Sequence, residues 1–346
     1  MKIAHINLAK GIRGGENQTL ALIEGLSEFK ELDQTLICRK NSDLEKKAKE
    51  KNIKILSIGK PFFINAFRLK KFNILHVHEG RSTYLAYFAN VLFKIPYIIT
   101  RRIPNKPHDK SITKKAYKNA ACIVSLSKKI NSVMREFAAS KRFEIIPSIA
   151  RELKPSQNEV ENLKKRFEGK FVIGHIGALS DHHKNQSLII KAAKLLQDKK
   201  DIIFIFLGNG KDEKMLKEMA LGLDNIIFEG YKTNTADYYA IFDLFVYPSK
   251  EEGLGSAILE AFGFKLPVIA SNVDGIPDIV INNKNGLLID PANENELKEK
   301  IELLYNNKEL RKKLSNSGFE FKNGFSSKIL SRKYYNLYKE ISNKIN

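Results

Sequence analysis

Residues 243–271, DLFVYPSKEEGLGSAILEAFGFKLPVIAS, carry the pattern of one strand–turn–helix–strand unit. The run DLFVYPS predicts a buried strand, LGSAILEAFG predicts a helix that begins near Gly255, and PVIAS predicts the next strand. Glycines in the turn let the backbone come close to a ligand, and the first helical turn presents N–H groups at the positive end of the helix dipole. The turn is therefore a candidate phosphate-binding site.

The same alternation of strand and helix extends along the whole chain in two series that meet near residues 147–155. The first series contains seven candidate strands: KIAHINLA, QTLICR, IKILSI, NILHVHE, YIITR, CIVSLS and FEIIPS. The second contains six: FVIGHIGAL, IIFIFLG, NIIFEG, DLFVYPS, PVIAS and GLLID. Alternation of this kind is typical of parallel sheets wound by crossover helices, and strands that are apolar throughout suit sheets covered on both faces. We predict two doubly wound α/β domains, residues 1–150 and 151–325, that face an interdomain cleft, with a terminal helix over 326–346 returning to the first domain.

Composition excludes several other classes of protein. The 346 residues suffice for two domains with sizeable cores. The two cysteines, Cys38 and Cys122, stand in unrelated contexts, which argues against a disulfide framework or a cysteine metal site and suits the cytosol. The opening MKIAHINLAK reads as a first strand rather than a signal peptide, and no apolar run of about 18 residues predicts a membrane span.

Positive charge is concentrated in the first half of the chain. The formal net charge is +20; residues 1–150 hold 29 Lys and Arg against 12 Asp and Glu, and the rest of the chain holds 30 against 27. This excess indicates an anionic partner of the first domain, or simply a lysine-rich composition with solvated faces. Nucleic acid is a poorer candidate, because no recognition helix, zinc finger or RNP-like stretch accompanies the charge. The segment PFFINAFRLKKF (61–72) resembles stretches that lie on membranes, although an ordinary amphipathic helix explains it equally well.

Two carboxylates flank the glycine turn. Glu260 falls on the predicted helix among apolar neighbours, where a carboxylate is costly unless something donates hydrogen bonds to it. The hydroxyls of a ribose would do so, and Glu252 on the turn could accept from another hydroxyl nearby. The alternative is a generic buried helix with one capped and one exposed glutamate.

The pattern P-S-x-x-E-G-x-G-x-x-x-L-E-A resembles the E-x7-E signature of the retaining GT-B glycosyltransferases of glycosyltransferase family 4. The resemblance continues through KLPVIASNVDGIPDIVINNKNGLLI (265–289), where Phe264, Asp274 and Asp278 replace two family glycines and a glutamate. It implies the GT-B fold, with an acceptor-binding first domain, a second domain that binds a nucleotide sugar, and transfer with retention of anomeric configuration.

The resemblance also implies roles for residues of the second domain. Glu260 would bind the ribose of the donor and Glu252 its sugar, while the backbone of Gly253, Leu254, Gly255 and Ser256 would hold sugar and diphosphate. In HIGALSDHHK (175–184), Gly177 would approach the donor and Lys184 would grip the diphosphate, whose negative charge grows during transfer. The family's usual arginine is here Ala178, so either His182 or His183 substitutes for it or Lys184 acts alone. Tyr231 is expected beside the base.

In the first domain, Gly14 and Gly15 resemble the family's G-G loop near the donor phosphates and the acceptor. The full G-x-G-x-x-G pattern of dinucleotide-binding proteins is absent, which argues against a dehydrogenase. His76 and His78 alternate near the end of a predicted strand; the resemblance places His78 near the reacting carbon, and His76 is expected in the core. Arg101 and Arg102 follow another strand, in a basic part of the first domain that could meet phosphorylated sugars or an anionic leaflet, and Arg101 is the candidate for the acceptor loop.

We therefore expect a retaining, metal-independent glycosyltransferase that uses a UDP-sugar and no cofactor, with Glu252, His78 and Lys184 as catalytic residues. A lipopolysaccharide or lipooligosaccharide core is the first choice of acceptor, and capsule or another lipid-linked glycan is the second. The enzyme is expected in the cytoplasm, associated peripherally with the inner leaflet of the cytoplasmic membrane. Two alternatives stay open: an epimerase acting on UDP-GlcNAc, and a non-catalytic protein that binds nucleotide sugars or glycans, which the replacement at Ala178 would support.

Overall fold

A computed structural model describes residues 1–138, 140 and 142–343. The chain divides into two compact units: unit 1 comprises Met1–Ile149 and the C-terminal segment from Phe325, and unit 2 comprises Ala150–Gly324. Each unit has its own parallel sheet and its own core.

Unit 1 is built on seven parallel strands, all predicted from the sequence: β1 (Lys2–Asn7), β2 (Asp33–Arg39), β3 (Ile55–Ile58), β4 (Ile74–Val77), β5 (Tyr97–Arg101), β6 (Cys122–Ser125) and β7 (Phe143–Ile145). Their order in the sheet is β3-β2-β1-β4-β5-β6-β7. The order reverses direction between β1 and β4, and ligands of open α/β sheets bind outside the carboxyl ends of strands at such a point.

The connections of unit 1 are helical: α1 (Gly14–Leu26), α2 (Asp43–Glu50), a 3-10 helix η1 (Phe62–Leu69), α3 (Ser82–Phe93), α4 (Ser111–Lys118), α5 (Lys128–Phe137) and the terminal α14 (Ser327–Asn343). Leu330, Tyr334 and Tyr338 of α14 enter the same core as Ile3 of β1 and Leu26 of α1. The terminal helix is therefore an integral part of unit 1.

Unit 2 is built on six parallel strands: β8 (Phe171–Ile176), β9 (Ile202–Leu207), β10 (Ile226–Gly230), β11 (Leu244–Tyr247), β12 (Val268–Ser271) and β13 (Leu287–Ile289). Their order is β10-β9-β8-β11-β12-β13, so β8 and β11 stand at the reversal. The helices are α6 (Gln157–Arg166), α7 (Asp181–Lys184), α8 (Gln186–Leu195), α9 (Glu213–Met219), α10 (Thr235–Tyr239), α11 (Ser256–Gly263), α12 (Glu294–Asn306) and α13 (Lys308–Lys322), with 3-10 turns at Ile276–Asp278 and Asn323–Phe325.

The predicted fold class is confirmed: both units are Rossmann-like, with apolar strands buried under helices. Two local expectations need correction: Gly14 and Gly15 form the first turn of α1 rather than a loop, and residues 62–69 form a 3-10 helix. The residues DHHK form a single helical turn. Within the described residues, no helix combines the length and apolar character needed to cross a bilayer.

Candidate active site

The candidate site of unit 2 lies at the carboxyl ends of β8 and β11, the neighbouring strands at which the sheet reverses. The loop after β8 leads through Gly177 into α7, whose last residue is Lys184. The loop after β11 carries Glu252 and leads into α11. Parallel pairing places both loops at one edge of the sheet, so residues 68 positions apart meet.

A three-residue cluster forms where these loops meet. Lys184 Nζ donates to the hydroxyl of Tyr247 at 2.6 Å and to Oε2 of Glu252, and the Tyr247 hydroxyl donates to the same oxygen at 2.6 Å. The ammonium group also lies 4.9 Å from the centre of the Tyr247 ring. The side chains of Lys184 and Glu252 are only 21% and 16% exposed, so their charges interact in a medium of lower polarity than water.

The cluster keeps both of its charged members ionised. Burial raises the pKa of Glu252, but the Lys184 charge and the hydrogen bonds from Lys184, Tyr247 and the Gly253 amide outweigh it, and the net pKa lies below the ordinary value. Burial lowers the pKa of Lys184, and its Tyr247 and Glu252 partners more than compensate, so the net pKa lies above the ordinary value. Burial, with the Glu252 charge next, raises the pKa of Tyr247, which therefore stays a hydroxyl donor.

The turn before α11 has the backbone that the glycines predict. Gly255, the residue preceding the helix, has φ 91° and ψ 56°, a left-handed conformation that disfavours any residue with a Cβ. A Cβ on Gly255 would also stand 3.0 Å from Cδ1 of Ile258. Asp274, which stands where the family has glycine, has φ 46° and accepts a hydrogen bond from the Glu252 amide at 3.1 Å. Aspartate tolerates this region better than most residues, so the replacement preserves the backbone and adds a tether for the turn.

Glu260 has a different environment from Glu252. It lies on α11, is 7% exposed, and its Oε1 accepts from Arg151 Nε at 2.7 Å while standing 2.6 Å from a terminal nitrogen of the same guanidinium. Its Oε2 lies 3.3 Å from the hydroxyl of Tyr239. Burial, with the Glu260 charge next, raises the pKa of Tyr239 well above its ordinary value, which keeps this hydroxyl protonated.

The loop that carries Gly177 is held by a close backbone approach. A Cβ on Gly208, which has φ 137°, would stand 1.9 Å from the carbonyl oxygen of Gly177. Ala178 is exposed, and its carbonyl accepts from Gln186 Nε2 at 2.8 Å. Gln186 also lies 3.3 Å from Nε2 of His175, whose Nδ1 donates to the Val246 carbonyl at 2.9 Å. These contacts fix the approach to Lys184.

In unit 1, the predicted strand-end histidine is part of a buried triad. His5, His76 and His78 are 0%, 0% and 2% exposed, and burial is the main reason that the pKa of each is lowered, that of His5 to about 4. His76 bonds to the hydroxyls of Tyr338 at 2.6 Å and Thr100 at 2.7 Å, as expected of a core residue. The family resemblance places His78 near the reacting carbon. In the structure its side chain is nearly as buried as those of His5 and His76.

The tautomers of this triad follow from one amide group. Gln34 Nε2 donates to the Ile23 carbonyl, so Gln34 Oε1 faces His5 Nε2 at 3.1 Å and requires a proton there. Neutral His5 then accepts at Nδ1 from His78 Nε2, 3.1 Å away. The remaining nitrogen of His78, Nδ1, carries a lone pair and lies 3.5 Å from a guanidinium nitrogen of Arg102.

Arg102, rather than the predicted Arg101, stands beside the glycines of α1. A Cβ on Gly15 would lie 3.4 Å from Cδ of Arg102, so this side chain passes directly over that glycine. Arg101 instead donates to the carbonyl of Asn105 in its own loop. The structure thus gathers Gly14, Gly15, Arg102 and His78 at the carboxyl ends of β1, β4 and β5, and turns Arg101 away from the group.

Two further expectations concern Tyr231 and metal ions. Tyr231 directly follows β10 and is 69% exposed, and its place beside the base stays a prediction. Among the described residues, two groups bring possible metal ligands within 4.8 Å of one another: the buried His5, His76 and His78, and the more exposed His182, His183 and Glu251. In the second group, Glu251 lies 3.3 Å from His183 Nδ1. In the buried triad, by contrast, the ring nitrogens already face protein partners.

No sequence pattern singles out two residues of these sites, Tyr247 and Arg151. Tyr247 is the last residue of β11 and its hydroxyl is marked only by its position at a strand end. Arg151 stands directly after the boundary between the units, where a lone arginine carries no motif. Arg102 was noted beside Arg101, but the choice between adjacent residues depends on the exact end of β5.

Comparison with known proteins agrees with this geometry. Residues 156–321 match the family model described as glycosyl transferases group 1. The chain is 29% identical over 303 residues to an uncharacterized glycosyltransferase of Methanocaldococcus jannaschii, covering 82% of each protein. It is 26% identical over 227 residues to the lipopolysaccharide core biosynthesis glycosyltransferase LpsD of Rhizobium meliloti, covering 64% of each. The crystal structure of Anabaena HepE in complex with UDP and glucose has a TM-score of 0.86 and 16% sequence identity, covering 98% of this chain and 100% of that one.

Fold and site together define a glycosyltransferase with the GT-B fold. The matched group 1 domain lies within unit 2, and it contains Lys184, Glu252 and Glu260.

Proposed function

We propose that the protein is a retaining, metal-independent glycosyltransferase of family 4 that moves a sugar from a UDP-sugar to a hydroxyl of a bacterial surface glycan. The observation that carries the proposal is the Lys184–Tyr247–Glu252 cluster beside the glycine turn of α11. The lysine and the N-terminus of the eight-residue helix α11 suit the diphosphate of a nucleotide sugar, and the ionised carboxylate suits a hydroxyl of its sugar.

The diphosphate belongs with Lys184 and the first turn of α11. Transfer leaves negative charge on the diphosphate, and fixed positive groups that are in place beforehand stabilise that charge. Lys184 brings a full charge, and the α11 N-terminus adds backbone N–H groups. The proposal therefore needs neither a metal at the diphosphate nor a cofactor.

Glu252 and Glu260 belong with the hydroxyls of the donor. Without a ligand, Glu252 is bound by Lys184 and Tyr247. A bound diphosphate would compete for Lys184. The Glu252 carboxylate would then be able to accept a hydrogen bond from a sugar hydroxyl in place of the one from Lys184. Glu260 would accept from the ribose through Oε2, since Arg151 occupies Oε1.

Unit 1 is proposed to bind the acceptor through Gly14, Gly15 and Arg102. His78 is buried, so its proposed contribution is indirect: its Nδ1 lone pair orients Arg102. The relative LpsD is named for lipopolysaccharide core biosynthesis, which supports a lipopolysaccharide or lipooligosaccharide core as the acceptor. The excess of basic residues in the first 150 positions suits an anionic glycan or glycolipid and a cytoplasmic enzyme held peripherally at a membrane.

The test is a binding and turnover panel of UDP-, GDP-, ADP- and CMP-sugars in the presence of EDTA, with the wild type and Glu260→Ala. We expect a UDP-sugar to stabilise the wild type, to be hydrolysed slowly without acceptor, and to lose its effect in the variant; HepE, crystallised with UDP and glucose, supports UDP as the first nucleotide to try. Absence of binding by every donor would refute the donor site. Activity that EDTA abolishes would refute metal independence, and a free epimerised sugar nucleotide would support an epimerase instead.

A further inference from the structure

One face of unit 1 exposes apolar side chains that a monomer in water would bury. Five residues form this apolar patch: Phe63, Ile64, Phe67, Val91 and Leu92, which are 56%, 57%, 66%, 48% and 52% exposed. The first three lie on η1 and the other two near the end of α3. Scattered apolar residues are normal on protein surfaces, but a contiguous group of this kind marks an interaction site.

The patch is continuous because η1 and α3 pack side by side. The ring of Phe63 lies 6.3 Å from that of Phe88, and the ring of Phe67 lies 5.6 Å from that of Phe93. Both members of the second ring pair lie later in their helices than the members of the first pair, so η1 and α3 run in the same direction. In a 3-10 helix, residues three apart share a side; Ala66 and Leu69 face the core, and Ile64 and Phe67 face outward. Phe63 begins the side of Ala66 and Leu69, but in the first turn of η1 it is 56% exposed.

Positive charge surrounds the patch. Four exposed basic residues lie in or next to η1, namely Lys60, Arg68, Lys70 and Lys71, and a fifth, Lys94, directly follows α3. Between residues 51 and 108 the sequence contains a single acidic residue, Glu79. Its carboxylate accepts from the Arg81 and Ser82 amides at 2.8 Å each, at the start of α3. Val91 and Leu92 lie near the other end of that 12-residue helix, about 14–15 Å from Ser82 at 1.5 Å per residue.

We propose that the apolar patch and its basic rim dock unit 1 on the surface of an anionic lipid bilayer. The apolar rings would enter the boundary between headgroups and acyl chains, while the lysines and arginines contact anionic headgroups. Charge complementarity selects a lipid surface over a second copy of the chain, because two copies would bring the same basic rims together. The inference deepens the peripheral-membrane part of the proposed function and rests on it.

The experiment measures binding of the full chain to phosphatidylcholine vesicles with and without phosphatidylglycerol, by sedimentation. We expect binding only when phosphatidylglycerol is present, at least tenfold weaker for the double variant Phe63→Ser/Phe67→Ser and for Lys70→Glu/Lys71→Glu. Leu221→Ser and Lys214→Glu are matched controls in unit 2, where the side chains are comparably exposed, and both should bind as the wild type does. The charge-reversal variant leaves the rings intact, so it tests the surface even if the serine variant unfolds.

Several results would overturn the proposal. Equal binding to both vesicles, no binding, or loss of binding in the unit 2 controls would each exclude this surface. A concentration-dependent dimer that Phe67→Ser abolishes would assign the patch to a second copy. Hydrolysis of the UDP-sugar by the same preparations separates the two proposals: vesicle binding that fails while hydrolysis persists refutes only the docking surface, and the reverse result refutes only the transferase.

Discussion

The guanidinium of Arg151 holds Glu260 by one oxygen. Two of its nitrogens, at 2.6 and 2.7 Å, approach Oε1, and Oε2 faces only the more distant Tyr239 hydroxyl at 3.3 Å. The carboxylate is 8% exposed and the arginine 36%, so Arg151 supplies the charge that makes a buried Glu260 tolerable. The pair orients one carboxylate oxygen for a ligand hydroxyl and keeps the other occupied. Arg151 is thus a positioning residue for the proposed ribose site.

Replacing Arg151 with methionine is expected to weaken UDP-sugar binding about 10- to 100-fold, because a charge-assisted hydrogen bond contributes about 1.5–3 kcal/mol. Isothermal titration measures the affinity. The matched control is Arg166→Met, which breaks a 2.6 Å ion pair to the buried Glu229 elsewhere in unit 2 and should leave donor affinity unchanged. The decisive comparison uses a donor without the ribose 2′- and 3′-hydroxyls: its affinity should not respond to Arg151→Met. An equal loss with both donors would show that Arg151 acts elsewhere.

Replacing Lys184 of the Lys184–Tyr247–Glu252 cluster is expected to lower the rate of sugar transfer rather than to unfold the protein. Lys184→Met should lower kcat by about 10²–10³, the usual effect of removing one group that stabilises the developing charge. Steady-state kinetics with near-saturating donor measure it. Lys250→Met is the control, since this lysine lies in the neighbouring loop after β11 that carries Glu252, is 45% exposed and lies 3.9 Å from Asp181. Equal effects of the two substitutions would indicate a general electrostatic contribution instead of a specific diphosphate contact.

Much of the architecture was predictable because the strands are buried on both faces. Such strands are apolar runs in the sequence, and all thirteen predicted runs are strands in the structure. Their order in the sheets brings the loops after β8 and β11 together, so Lys184 and Glu252, to which the family resemblance gives separate roles toward one donor, are in contact.

The missed residues share a physical cause. Arg151 and Tyr247 act through single long-range contacts, to Glu260 and Glu252, and no local pattern records such a pairing. Arg101 and Arg102 differ by one position, and successive residues near a strand end point in different directions, so the sequence does not decide which of the two side chains lies beside Gly15. The burial of His78 depends on His5, 73 residues away in the chain.

Replacing Gly255 with alanine is expected to have a larger effect on stability and on donor binding than the same replacement at Gly169. Gly255→Ala places a Cβ 3.0 Å from Ile258 and forces alanine to φ 91°, whereas Gly169→Ala has φ 71° with open space around its Cβ. In both variants the left-handed backbone should lower the free energy of unfolding by about 1–2 kcal/mol. Only Gly255→Ala should lower it further, and only this variant should weaken UDP-sugar binding, because it displaces the first turn of α11. Thermal unfolding and donor titration measure both effects; equal stability losses with unchanged affinity would contradict the role of the turn.

The buried histidines predict how the protein responds to acid. Desolvation lowers the pKa of His5 and of His175 to about 4, so each stays neutral in the folded chain at pH values where it binds a proton in the unfolded chain. Between the unfolded value near 6.5 and about 4, the unfolded state therefore binds more protons. Stability must fall as the pH falls through this window, by up to about 1.4 kcal/mol per pH unit for each such histidine. Urea unfolding between pH 7 and pH 4.5 measures the slope.

Imidazole NMR signals, assigned with His5→Gln and His175→Gln, should remain those of the neutral ring at pH 5. A midpoint near 6.5 for either ring would mean that it is hydrated in the folded state, and such a midpoint for His5 would contradict the hydrogen-bond chain from Gln34 through His5 to His78.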